Sequence, residues 1–150
     1  MSFLGPLDVQ PLITHLASAV PDLKLVDGAA DLDSVLEGEA PRAMPAAYVV
    51  LGPERSKPNN GSTGAFYQKT DASFGVVVVS SNLRGATTGG AVQKTSTDIE
   101  RLVVAALVAW SHPEALLPLE HRTRDVLKQA KGMLYVQHGF WTQYRKEKYG

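Results

Sequence analysis

Between Ala91 and Trp110, apolar residues fall at Val92, Ile99, Leu102, Val103, Ala106, Leu107 and Trp110. This is the i, i+3, i+4, i+7 rhythm of a helix with a buried face. From Leu102 to Trp110 no polar residue occurs, so this half must be covered on more than one side. About twenty helical residues span about 30 Å, the width of a small domain, and the pattern predicts a central helix lying on a sheet. Thr97-x-x-Glu100 is a capping box that offers a later start. Val92 fits the apolar stripe and favours the earlier one. Ser111-His112-Pro113 ends the helix.

Upstream, Leu12, Ile13, Leu16 and Val20 give one apolar face to a helix predicted over Leu7–Val20. Asp8 and Pro11 stand in its first turn and Pro21 stops it. Leu23–Val26 reads as a short extended piece and Asp31–Leu36 as a short helix. Asp31, Asp33, Glu37 and Glu39 lack the alternating ligands and glycine of a calcium loop and read as a solvated acidic face. Ala46–Leu51 (AAYVVL) is a strand ended by Gly52-Pro53. GPERSKPNNGSTG then makes a long polar loop or hairpin arm. Ala65–Ser81 is a long strand. Its unbroken FGVVVV run implies burial on both faces, with Gly75 marking a bulge or a close helix approach.

Near the C-terminus, Lys131-Gly132 joins two further strands. One covers about Asp125–Ala130, where helical spacing competes. The other covers about Met133–Arg145 and is rich in aromatic residues. The sum is α+β: one mostly antiparallel sheet of about four strands with two main helices packed on one face. The expectation is a single domain over residues 1–150, with a flexible arm at about 52–65 and a frayed C-terminal end.

Composition narrows the function. The 150 residues carry 15 Lys+Arg and 15 Asp+Glu. Zero net charge argues against a dedicated nucleic-acid binder and permits self-association. There is no cysteine, which excludes disulfides, zinc–thiolate sites and thiol catalysis. The N-terminal MSFLGPLDVQ has neither the basic region nor the apolar run of a signal peptide, and no stretch suggests a membrane span. A soluble protein made in a cytoplasm is expected.

Routes to catalysis are weak. His15, His112, His121 and His138 show no metal-ligand spacing. His112 and His121 could be combined with Glu114 or Glu120 only on paper. No G-x-S-x-G elbow occurs. The RGATTGG loop sits between a strand and a helix, as a phosphate cradle does, but it lacks the Gly-Lys-Ser/Thr ending and G-x-G-x-x-G. No cofactor is implied. The candidate partner-binding residues are Arg55, Lys57, Asn59, Asn60 and Lys69 on or near the arm, and Arg84 in the RGATTGG loop. Arg145, Lys146 and Lys148 form a second basic group. These cations read either as solubilising charge or as a contact with a protein partner or with passing DNA.

The order of these pieces resembles the tail terminator (minor tail) proteins of tailed bacteriophages. It runs from a first helix and an acidic segment through MPAAYVVL, a polar arm, FGVVVV, a linker and a helix ending in LVAW before a proline, to a hairpin closing with LYVQHGFWTQY. The resemblance covers about Leu12–Tyr144, and its order and spacing carry it, since the pieces are packing motifs. Ala109 stands where the family pattern has glycine before tryptophan. The resemblance implies a hexameric ring at the head-proximal end of the tail. Such a ring stops tube polymerisation, contacts the tail tube protein and offers a surface to the head–tail connector. It also implies a virion component without an active site. The alternatives are a small nucleotide- or anion-binding domain using RGATTGG, or another connector or tube component.

Overall fold

The computed structural model describes residues 2–62, 64–81 and 95–149. Helix α1 (Gln10–Ala19) is followed by β1 (Leu25–Asp27), α2 (Ala29–Leu36), β2 (Ala46–Leu51), β3 (Arg55–Ser56), β4 (Ala65–Ser81), α3 (Ser96–Leu107), β5 (Glu120–Ala130) and β6 (Met133–Tyr149). The sheet order is β1-β2-β4-β6-β5, with β3 paired to β4 beyond the end of β2. β1 and β2 are parallel and the other pairs antiparallel.

The expected sheet of about four strands with two main helices on one face is overturned, although α+β stands. Among the described residues the sheet is mixed and has six strands, and there are three helices. Burial explains their placement. Alternate strand residues Ala47, Val49, Phe74, Val76, Val78, Phe140 and Tyr144 pack with Leu12 and Leu16 of α1 and Ile99, Val103 and Leu107 of α3. The opposite set, Ala46, Tyr48, Val77, Val79, Met133 and Tyr135, packs under Leu32 and Val35 of α2. Side chains alternate between sheet faces, so α2 lies on the face opposite α1 and α3. The FGVVVV run is apolar throughout because helices cover both of its faces.

Local chemistry sets the helix ends. The Thr95 hydroxyl accepts from Asp98 N–H, and the Asp98 carboxylate accepts from Thr95 N–H. This capping box starts α3 at Ser96, not at the Thr97 box, and residues 91–94 of the predicted early start lie outside the described residues. The helix stops at Leu107, three residues short of Trp110. Val108 turns extended and Ala109 adopts φ 68°. Ala109 N–H then donates to the Leu119 carbonyl and Leu119 N–H to Trp110, each at 2.8 Å. Trp110, freed from the helix, stacks on His15 at 4.8 Å, and His15 Nε2 meets the Ala106 carbonyl at 2.8 Å.

At the other helix, Asp8 precedes α1 and accepts from Gln10 N–H, so no carboxylate lies in its first turn. Gly75 marks neither a bulge nor a helix approach. It stands in register opposite Gly139, and the Gln137 side chain occupies the space a Cβ would need. The register shifts fall on β5, around Arg122 and Leu127.

Candidate functional site

β4 and β6 pair over their full 17-residue length. One half of this ribbon lies under the helices. The other carries the arm. There β3 pairs Arg55 with Asp71 and Ser56 with Thr70. The ladder continues as Lys57 N–H donates to the Lys69 carbonyl and Asn60 N–H to the Tyr67 carbonyl, both at 2.8 Å. Asn59 Oδ1 accepts from Gly61 N–H and Tyr67 N–H at 2.9 Å each, a side-chain-built turn. The described part of the arm is thus folded back along β4.

On the other side of β4, Lys69 stands opposite Arg145. Lys57, Lys69 and Arg145 therefore form a row across three neighbouring strands, on one face and all exposed. Strand spacing puts such neighbours about 5 Å apart, and like charges directly opposite are destabilising. Arg145 is moderated by an ion pair with Glu147 and by the Tyr67 ring, 5.1 Å away. In the next row Arg55 faces Asp71, whose carboxylate accepts from Gln143 at 3.1 Å.

The structure thus gathers Arg55, Lys57, Asn59, Asn60 and Lys69 at one end of the sheet. Asn59 acts as a turn builder there, and Asn60 contributes its main chain to the ladder. Arg84 and the rest of RGATTGG lie outside the described residues. In the sequence Arg145 falls among the C-terminal cations, with nothing to connect it to Lys69. The connection exists only through the β4–β6 register.

A second polar group is internal. Glu100 of α3, 7% exposed, takes two hydrogen bonds from Arg124 of β5, at 2.8 and 3.1 Å. It also takes one from His138 Nε2 of β6 at 2.7 Å. His138 Nδ1 lies 2.9 Å from His121 Nε2. Burial alone would raise the Glu100 carboxyl, but the hydrogen bonds from Arg124 and His138 outweigh it and hold it below its ordinary value. Burial pushes the His138 imidazole down, against the pull of Glu100. The group ties α3 to the two C-terminal strands. No cluster with metal-binding geometry occurs among the described residues.

Further exposed surfaces among the described residues lie elsewhere. β5 is an 11-residue edge strand with Val126 and Leu127 exposed. Val108, Leu116 and Leu117 are also exposed beside an open groove of about 530 Å³ that Trp141 and Arg122 help to line.

A family model described as "Phage tail terminator protein" matches residues 2–149. The chain belongs to the phage tail terminator family. No curated protein matches it. Membership gives a structural role in a phage tail and makes the protein a virion component. No helix among the described residues is long and apolar enough to cross a membrane. For a tail terminator family member, the informative surfaces are those that can meet other proteins: the arm end of the ribbon, the β5 edge and the apolar patch at Leu116–Leu117.

Proposed function

We propose that this protein forms a ring, hexameric by family resemblance, at the head-proximal end of the tail, where it ends tube polymerisation and presents the surface that joins the head. The observation that carries this reading, beyond family membership, is the β5 edge, which has no outer strand partner among the described residues. Its outer main-chain groups are a template for strand pairing, and exposed Val126 and Leu127 add apolar surface to it. An exposed edge of this kind can take up a strand from another copy or from a tube protein. The partners are other copies of this chain, the tail tube protein and the head–tail connector. DNA passing through the lumen would meet the protein through its basic side chains without reading sequence. The domain is a single assembly unit over residues 1–150 with no catalytic task.

Light scattering with negative-stain imaging tests the reading. Rings are expected alone or on purified tail tubes. A strict monomer at high concentration and in the presence of tubes would overturn it. A tube component would instead give long stacks, which the same images separate from single rings.

A further inference from the structure

We propose that the cationic row Lys57–Lys69–Arg145 of one copy docks on the acidic outer surface of α2 and its C-cap, carried by Asp31, Asp33 and Glu37, on a second copy. This rests on the reading that copies of the chain assemble with one another. The first support is the row itself. Three exposed cations stand on adjacent strands in one register, a repulsive arrangement that the Arg145–Glu147 ion pair moderates and that an anionic surface would relieve further.

The second support is charge segregation. The chain is neutral as a whole, yet the stretch from Asp22 to Glu39 holds six carboxylates and one lysine. The outward side chains Asp31, Asp33 and Glu37 of that stretch are exposed while Leu32 and Val35 point into the sheet. The two surfaces are complementary but cannot meet within one molecule. α2 covers the sheet at Val77 and Val79, and Lys69 lies on the same face eight to ten residues earlier along β4. At about 3.3 Å per residue, that is about 26–33 Å. A second copy must supply the contact.

The row's surroundings favour a protein over nucleic acid. Asp71 and Glu147 stand on the same face among the cations and would repel a phosphate backbone. The acidic helix has cations of its own nearby, with Arg42 3.6 Å from Asp27, and so can match both signs. A heterologous contact of this kind propagates from copy to copy and closes into a ring when the rotation allows.

Two charge-reversed proteins test the proposal. One carries Lys57→Glu, Lys69→Glu and Arg145→Glu. The other carries Asp31→Lys, Asp33→Lys and Glu37→Lys. All six positions are exposed, and circular dichroism melts check that each protein folds. Sedimentation should show each alone associating about tenfold or more weakly than the unmodified chain, with the unmodified association itself weakening as salt rises. Mixed in equal amounts, the two should recover assembly, because each basic surface then faces an acidic one. Unmodified protein that assembles while both variants assemble equally well overturns the contact and leaves the ring reading standing. Loss of DNA retention with assembly unchanged assigns the row to nucleic acid and likewise overturns it. Unmodified protein that never assembles, with or without tubes, removes both.

Discussion

His138 donates from Nε2 to the Glu100 carboxylate at 2.7 Å, and this bond joins strand β6 to helix α3 where both residues are buried. Its chemistry sets a pH dependence. With Nε2 donating to Glu100, Nδ1 of neutral His138 accepts from His121 Nε2–H. A proton on His138 Nδ1 would confront that donor. His138 titrates below its ordinary 6.5 in the folded state, through burial, so the unfolded chain binds its proton first. The stability this group contributes is present above pH 6.5 and is lost as pH falls through the lower folded value. Glu100, held below 4.5, contributes a second loss at lower pH with the same sign. Thermal melts from about pH 8 to 2.5 should fall in two stages, the first below about pH 6.5 and the second below about pH 4.5. His138→Gln should flatten the upper one, and an unchanged upper slope in that variant would sink the assignment.

The two partners of the Glu100–Arg124 ion pair should respond unequally to truncation. Arg124 is 49% exposed and can hydrate its guanidinium, whereas the Glu100 side chain is 9% exposed. Arg124→Ala strips the buried Glu100 carboxylate of its two guanidinium bonds and should cost about 3 kcal/mol. Glu100→Ala leaves Arg124 free to hydrate and only the neutral His138 N–H without its acceptor, and should cost about 1.5 kcal/mol. Urea unfolding measures both, and equal losses would contradict the buried-acceptor account.

Much of the fold was legible because its signals are local. Ala46–Leu51 and Ala65–Ser81 have the bounds read from β-branched runs and turn residues. β5 begins five residues before the strand expected over about Asp125–Ala130, because it is an edge strand, exposed along nearly all its length and bulged twice, so no alternation survives to be counted. The position of α2 on the opposite face was hidden because its eight residues show an apolar stripe without showing which side of the sheet receives it. Glu100 gave one faint signal, a carboxylate beside Ile99 on the buried stripe of α3. Its partners lie 24 and 38 residues away, and only tertiary pairing finds them. The cationic row is the same case. Each residue is visible as a charge, and only the strand register makes them neighbours.

Two threonines compete to start α3, and substitution distinguishes them. Thr95 makes the reciprocal bonds with Asp98, whereas Thr97 lies within the helix. Thr95→Ala should cost about 1 kcal/mol. Thr97→Ala should change stability by less than about 0.5 kcal/mol or improve it slightly, since alanine is the better helix former. The reverse ranking in thermal or urea denaturation would return the cap to Thr97.

Gly5 meets Tyr144 where the N-terminal segment crosses β6. Gly5 has φ +72°, and a Cβ there would lie 2.1 Å from the Tyr144 hydroxyl and 2.7 Å from its ring carbon Cζ. Tyr144 cannot easily yield. It is fully buried, donates to Glu54 at 2.9 Å and packs edge-on against Phe3 at 5.7 Å. Gly5→Ala should therefore combine left-handed backbone strain with overpacking and lose about 2–4 kcal/mol. Adding Tyr144→Phe removes the nearest atom but leaves the ring carbon, so in a double-mutant cycle it should return only part of that loss. Full recovery would place the whole conflict at the hydroxyl, and no loss from Gly5→Ala alone would show that the N-terminal segment can lift away from β6 without cost to the fold.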